Sequence, residues 1–449
     1  MTLKISISGI RGYVPESLTP EVCLDFAKAF GAWLEQEYPK KKNKKVVIGQ
    51  DPRQTSDYIK GIAASGLAAS GCQVIDIGIC PTPTVGLMIK HLKADGGIVI
   101  TASHNPLPWN GLKFMRNDGI FLNENQAKYL INLYNGKKFI KTLPKDITYF
   151  SQAVNLHIKK VLGQIKIKNK KLKVAIDCCN GAGSVAAVEL LKQIGCIVCP
   201  INCDVTAPFP HDPEPVEKNL SDLMQAVKDQ KADIGFALDS DADRLAIISE
   251  QGKAIGEELT LALAVKYVLR KNANLPRSKK MVFCNLSTTQ AIDDITKEFG
   301  GISLRTKIGE VHVAEELKKR KGLIGGEGNG GVIYPKVGFN RDSLTGIAMI
   351  IAYLSDSGKK LSKLAAEIPA YYCIKNKIEC PNQQTAQNYI SKIKNKFDIK
   401  NMILIEGVKV VVDGGWVHVR ASNTEPILRI IAEAKTKSQA QSLVDEVTI

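Results

Sequence analysis

Aromatic residues are scarce in this 449-residue chain, at 6% with three tryptophans, so the stacking platforms of single-stranded nucleic-acid binders are hard to build from it. Arginine is scarce as well. About 50 of the 61 basic residues are lysines, and the formal net charge of +16 sits largely in clusters such as those from Lys40 to Lys45 and from Lys166 to Lys173. Phosphate and base readout favours arginine; we read the excess as surface composition and expect no nucleic-acid partner. Long apolar runs are missing, none approaching the roughly 18 residues of a membrane span, and the opening Met-Thr-Leu-Lys-Ile-Ser-Ile-Ser lacks a signal-peptide apolar region. The expectation is a cytoplasmic protein with no membrane partner. Eleven cysteines are scattered through apolar segments, as at Cys23, Cys178, Cys179 and Cys284, and the one C-x-x-C, Cys196 with Cys199, has no second pair. This argues against a zinc or disulfide framework and for reduced thiols. The 44% hydrophobic and 24% charged fractions are those of a globular chain, and the length suits about three domains, each with its own core.

The stretch from Gly97 to Phe114 organises the rest. A run of small and β-branched residues reads as a buried strand and breaks off at Thr101-Ala102-Ser103-His104-Asn105, before Pro106 and Pro108 forbid regular structure. A polar loop at a strand's carboxyl end is where open α/β sheets hold ligands. Ser103 is therefore a candidate nucleophile, with Lys113 able to approach from the return strand, although a helix cap or an ordinary turn suits the same residues.

Strands and helices alternate around this stretch. Thr19-Pro20 reads as a cap and first helical position for a helix to about Tyr38. The strand Val46-Val47-Ile48 ends in Gln50-Asp51-Pro52-Arg53. A helix from Ser56 to Ser70, the strand Val74 to Ile77, a turn Pro81-Thr82-Pro83 and another helix lead back to Ile98. The layout recurs: basic residues and a short apolar strand stand at Lys45 to Ile48, Lys173 to Ile176 and Lys280 to Phe283, each followed by a second strand at Ile98 to Ile100, Ile234 to Leu238 and Leu323-Ile324. After Pro369 the pattern changes to a helix near Gln383 to Lys396, strands Ile403 to Ile405 and Val408 to Val412, an Asp413-Gly414 hairpin signal, Trp416 to Arg420, Ile427 to Ala432 and a last helix. The fold expected is α/β: three similar α/β domains with mixed, largely parallel sheets (1–150, 151–257, 258–370) and a smaller α+β domain (371–449) around a central cleft.

Three further loops carry chemistry. Asp239, Asp241 and Asp243 alternate, so they share a strand face or converge in a tight loop. Carboxylates that close repel unless a hard cation lies among them. An EF-hand fails, because its sixth position would be Arg244 rather than glycine; magnesium is the preferred metal, and solvated turn aspartates are the alternative. Arg420, Ser422, Asn423, Thr424 and Arg429 combine two arginines with hydroxyl and amide donors and suit a tetrahedral dianion. Glu327 stands among glycines that allow close approach of a ligand, without the Lys-Ser/Thr of a P-loop. Gly9-Ile10-Arg11-Gly12 is a plausible phosphate contact.

In this order the motifs resemble those of the α-D-phosphohexomutase family over nearly the whole chain. Thr101 to Pro106 resembles its phosphoserine loop, Asp239 to Arg244 its magnesium loop, Gly326-Glu327-Gly328-Asn329-Gly330 its sugar loop, and Arg420 to Pro426 its phosphate-binding loop. The resemblance implies phosphoryl exchange between hexose 6-phosphate and hexose 1-phosphate through a hexose 1,6-bisphosphate, with Mg2+ held by the three aspartates and Ser103. It implies a catalytic group of Ser103, His104, Arg11 and Lys113, and substrate contacts at Gly326, Glu327, Asn329, Arg244, Arg420, Ser422, Asn423, Thr424 and Arg429. Many members carry Ser and His where this chain has Asn329 and Gly331. That form, with Asn340-Arg341-Asp342 and Pro213-Glu214-Pro215, resembles sequences assigned as phosphoglucosamine mutases, so glucosamine phosphate is favoured over glucose or mannose phosphate. A phosphatase using Ser103 and a catalytically silent binder are the competing readings, and the oligomeric state expected is monomer or homodimer.

Overall fold

Apolar β-branched runs separated by capped amphipathic segments dictate crossover topology, and the computed structural model, which describes residues 2–168, 171–422 and 427–448, has that topology three times. In the first sheet the strand Lys44–Gln50 lies between Cys72–Ile79 and Gly96–Ile100, parallel to both. Gly96–Ile100 then turns back antiparallel into Trp109–Arg116. The second sheet repeats this arrangement with Lys173–Asp177 between Ile197–Ile201 and Ile234–Leu238, and Leu245–Ser249 as the antiparallel return. The third does so with Met281–Asn285 between Ile302–Thr306 and Ile324–Glu327, returning through Gly331–Ile333. The recurrence suggested by the sequence is thus a repeat of strand order, and each polar loop occupies the same hairpin position.

The first sheet is extended to seven strands by Lys4–Ser6, Gly9–Tyr13 and Ile147–Tyr149. The Gly9–Tyr13 strand lays Arg11 opposite Gly111 beside the Ser103 loop. The fourth sheet is antiparallel, in the order Met402–Ile403, Val408–Val412, Gly415–Ala421, Ile427–Ala434, Tyr372–Glu379. The edge strand Tyr372–Glu379 was not legible, because most of its side chains are exposed and only Ile374 and Ile378 reach the core, too few to stand out among the polar residues between them.

Local chemistry sets the boundaries. Thr19 accepts a hydrogen bond from the Val22 amide and Pro20 opens the helix Pro20–Glu37. Pro81-Thr82-Pro83, expected as a free turn, is instead the entry of the helix Thr82–His91, since a proline in the first turn gives up no intrahelical hydrogen bond. The expected strand over Ile403 to Ile405 pairs only at Met402–Ile403; Leu404 and Ile405 leave the sheet, and the loop they begin carries Glu406 to the cleft.

The second and third sheets share one continuous apolar core through the almost wholly buried helix Ser343–Ser357; the fourth has a core of its own, and the first has one on one face while its other face packs with Val311 and Ala314 of the third domain. Polar bridges join these bodies: His157, fully buried, lies between Thr84 Oγ1 (2.8 Å) and Asp342 Oδ2 (3.0 Å). All eleven cysteines are free thiols, and no helix among the described residues is long and apolar enough to cross a membrane.

Candidate active site

The Ser103 loop is clamped from below by a buried ion pair at the carboxyl end of the neighbouring strand. Asp51 and Arg53 pair at 3.0 Å with both side chains fully buried. The Arg53 guanidinium donates to the carbonyls of Ser103, Asn105 (2.7 Å) and Trp109 (2.9 Å) and to Ser240 Oγ (3.1 Å). Asp51 accepts from Thr101 Oγ1 at 2.7 Å and from Ser240 Oγ at 3.0 Å. Five donors on a rigid fork satisfy carbonyls that would otherwise be orphaned in the interior. Ser103 is held with φ of 52° and Ala242 with φ of 53°, left-handed conformations that non-glycine residues adopt only where the surroundings impose them.

Across the domain boundary the hairpin loop after Ile234–Leu238 brings Asp239, Asp241 and Asp243 together, all fully buried, with ligand oxygens within 4.8 Å of one another. Ser103 Oγ donates to Asp239 Oδ2 at 3.2 Å. Burial, and then Asp243 and Asp241, push the Asp239 carboxyl well above its ordinary range. Burial acts in the same direction on Asp241 but is outweighed by the Lys113 ammonium at 2.6 Å and the Thr82 hydroxyl at 2.7 Å. Three buried carboxylates cannot all remain ionised without a cation among them. Asp241 Oδ1 and Asp243 Oδ1 have no hydrogen-bond partner, so the donor set is all-oxygen, buried and partly unspent, which fits a hard divalent cation. His104 Nδ1 is 3.3 Å from Ser103 Oγ. Burial, then Arg244, Arg11 and Arg341, push its imidazole down to about 2, so it is neutral.

Beyond the aspartates a chamber of about 240 Å³ is walled by Arg11, Lys113, Arg244, Glu327, Asn329 and Arg341 among others. Arg11 donates to Asn105 Oδ1 at 2.9 Å, and Arg244 to Glu214 Oε1 at 3.2 Å. Glu327 is 5% exposed and its Oε1 accepts from Asn285 Nδ2 (2.8 Å) and the Gly309 amide (3.0 Å). Gly326 is in an extended φ of 157°, with a hypothetical Cβ 2.0 Å from the Gly331 carbonyl; only glycine lets the two strands close here.

A second chamber of about 560 Å³ shares Ile7, Ser8, Ile308, Gly309 and Val311 with the first and ends at Arg420, Ser422 and Arg429. Arg420 and Arg429 are directly opposite each other in the antiparallel pair. Like charges in that position are destabilising unless an anion lies between them. Glu406, with Oε1 3.6 Å from Arg420 and Oε2 accepting from the Ile308 amide at 2.7 Å, supplies negative charge here. Asn423 and Thr424 lie outside the described residues.

Arg11, Lys113, Arg244, Glu327 and Asn329 line the first chamber and Arg420, Ser422 and Arg429 the second, with Ser103, His104 and the three aspartates joined to one another beside Lys113; Gly326 is buried and lines neither chamber. Sequence reasoning passed over Asp51, Arg53, Ser240, Thr82, Asn285, Glu310, Arg341 and Glu406. A signal existed for the first two: an acid and a base flanking a proline directly after the strand Lys44–Gln50, whose centre Val46-Val47-Ile48 is apolar. Arg341 stood out only within Asn340-Arg341-Asp342 and Ser240 only within the aspartate loop, neither with a role; the rest had no local signal, since their partners are more than ten residues away.

The domain family described as "Phosphoglucomutase/phosphomannomutase, alpha/beta/alpha domain I" matches residues 3–141, and its domains II and III match 149–252 and 256–372. The C-terminal domain of the same set matches 377–449. The chain is 38% identical over 444 residues to a probable phosphoglucosamine mutase of Pyrococcus abyssi, covering 98% of this chain and 95% of that one. It is 37% identical over 445 residues to a phosphoglucomutase/phosphomannomutase of Thermococcus kodakarensis, covering 97% and 96%. Among solved structures, a phosphoglucomutase/phosphomannomutase family protein of Burkholderia thailandensis superposes with a TM-score of 0.86 at 26% identity, covering 99% of this chain and 96% of that one.

Proposed function

Since the chain belongs to the phosphoglucomutase/phosphomannomutase family, as matches to all four domains establish, it is a phosphohexomutase and an isomerase, and we propose that the sugar it serves is glucosamine phosphate. The observation that carries the mechanism is the cleft itself: a hydroxyl against a carboxylate cluster at one end, an opposed arginine pair at the other, and a buried glutamate between. Two such sites joined by one cleft suit a molecule with a phosphoryl group at each end.

In this reading Ser103, phosphorylated between turnovers, gives its phosphoryl group to the free hydroxyl of a hexose monophosphate whose own phosphate is held by Arg420 and Arg429. The hexose 1,6-bisphosphate turns end over end, its other phosphoryl group returns to Ser103, and the isomeric monophosphate leaves. A hexose 1,6-bisphosphate also primes unphosphorylated Ser103. Asp239, Asp241 and Asp243 would hold a divalent cation, in our reading magnesium, which supplies positive charge against the transferring group. Lys113 and Arg11 place charge beside the reacting oxygens, and the neutral His104 orients Ser103 Oγ. Glu327 accepts hydrogen bonds from ring hydroxyls that all candidate sugars share, so the choice among them rests on Asn329, Gly331 and Arg341 around it. Reorientation requires the cleft to open, through rotation of the domain beyond residue 370 about the segment near Pro369.

The alternative sugar reading, glucose or mannose phosphate, has support from the phosphoglucomutase/phosphomannomutase relative. The deciding experiment compares kcat/KM on glucosamine, N-acetylglucosamine, glucose and mannose phosphates with magnesium and a trace of bisphosphate. Highest kcat/KM on glucosamine phosphate is expected; a preference for glucose or mannose phosphate would overturn the assignment. Release of inorganic phosphate in place of isomer would point to a Ser103 phosphatase.

A further inference from the structure

The guanidinium of Arg341 stands where three loops meet, and beyond its place around Glu327 the exchange described above gives it no part at the aspartates. Its Nη2 donates to Asp243 Oδ2 at 2.6 Å and its Nη1 to Glu327 Oε2 at 2.8 Å. Its Nε lies 3.3 Å from Glu310 Oε2, and its backbone amide donates to Glu310 Oε1 at 2.7 Å. The side chain is 10% exposed, and all three partner carboxylates are buried. One planar fork therefore joins the aspartate loop of the second domain to the glutamate loop of the third.

The fork reaches this position through an opening in the glutamate loop. An ideal Cβ on Gly331 would lie 2.2 Å from Arg341 Cδ and 2.8 Å from its Cγ. Any side chain at position 331 would claim the space that the arginine stem fills, so glycine here and arginine at 341 form one packing unit. The two oxygens of Asp243 are also divided: Oδ2 accepts from Arg341 and lies 3.6 Å from Lys113 Nζ, while Oδ1 has no hydrogen-bond partner and only Arg244 Nε at 4.0 Å. A lysine could not reproduce this, because a single ammonium lacks the parallel N–H pair that fixes two carboxylates at a set separation.

We infer that Arg341 is a positioning residue that couples the cation loop to the sugar loop, reaching both through the space left by Gly331. It holds Asp243 by Oδ2, which would leave Oδ1 for a bound cation, keeps Glu327 in register for the sugar hydroxyls, and would moderate cation affinity with its own positive charge. The inference rests on the reading of 239–243 as a cation loop and of Glu327 as a sugar ligand.

The test measures two quantities on the same full-length variants: divalent-cation affinity of the substrate-free protein, titrated directly with Mg2+ or Mn2+, and KM against kcat for the hexose phosphate. In Arg341→Met, removal of a positive neighbour tightens cation binding by about tenfold, while KM rises by about tenfold because Glu327 keeps its bonds to Asn285 and Gly309 through Oε1 but loses the one that fixes Oε2. Arg341→Lys keeps cation affinity within about twofold of the parent, yet retains the raised KM. Opposite movement of the two constants is the signature of coupling, since a purely structural lesion weakens both. Unchanged KM in both variants, or joint loss of cation and sugar affinity in Arg341→Met with a collapsed thermal transition, would overturn the inference. No cation binding by the parent protein would instead refute the cation-loop reading, and the inference would fall with it.

Discussion

Arg53 does more to shape the phosphoryl-transfer end of the cleft than any residue that lines it. Its guanidinium ties the carbonyls of three residues in the Ser103 loop to Asp51 and Ser240, so loop and aspartate hairpin share one anchor. Arg53→Met leaves Asp51 as an uncompensated buried charge, and we expect a loss of about 3–5 kcal/mol in denaturant melts together with near-complete loss of turnover. Ser103→Ala, which removes one exchangeable hydroxyl, is expected to abolish turnover with the melting transition preserved, read by activity and calorimetry side by side. The aspartates give a third expectation. A cation at about one hundred times its dissociation constant stabilises the folded state by about 2.7 kcal/mol; chelation should lower the melting temperature of the parent protein, and Asp241→Asn should lose most of that difference.

At the scale of elements, the same hairpin position recurs three times with different cargo: a serine after Gly96–Ile100, aspartates after Ile234–Leu238, a glutamate at the end of Ile324–Glu327. A parallel strand delivers its carboxyl end to the junction, and the antiparallel return keeps the loop short. The fourth sheet docks through buried polar groups. Lys409 donates to the Leu286 carbonyl at 2.6 Å, Glu433 accepts from the Gln290 amide at 2.6 Å, and His418 lies 3.1 Å from Ser287 Oγ and 2.9 Å from the Glu406 carbonyl. Burial, offset in part by the Glu406 carbonyl and reinforced by Lys409 and Arg420, pushes the His418 imidazole down to about 4 from an ordinary 6.5. A base depressed in the folded state contributes stability that is complete above the unfolded value and is lost as pH falls through the folded one. The docked arrangement should therefore weaken between pH 6.5 and 4. Limited proteolysis of the segment near Pro369 should accelerate over that range, and His418→Gln should flatten the profile.

At the scale of the molecule, the cleft exists only because four bodies meet. The chamber at Arg420 and Arg429 draws walls from the first sheet at Ser6 and Ser8, from the third domain at Lys307 and His312, and from the fourth sheet. Arg420→Ala is expected to raise KM for the monophosphate about tenfold or more, because one half of a bidentate anion clamp is gone, while leaving cation affinity at the distant aspartates unchanged. Loss of cation binding in that variant would show that the two ends are not independent.

Much of this was legible before any coordinates. Alternating strands and helices, the Thr19-Pro20 cap, the Asp413-Gly414 turn and the polar loops at Ser103, Asp239 and Glu327 are local patterns, set by chain propensity and by periodicity within a few residues. Those patterns by themselves determined the α/β class, the threefold recurrence and which hydroxyl, carboxylates and arginines were candidates. Only the tertiary structure decided that Arg53 braces Ser103, that Lys113 pairs with Asp241, that Arg420 faces Arg429, and that Gly331 is small because Arg341 lies across it. These contacts join residues from 9 to 128 positions apart. No local propensity encodes them; burial selects them, because a charged group removed from water must find its partner wherever the fold has placed it.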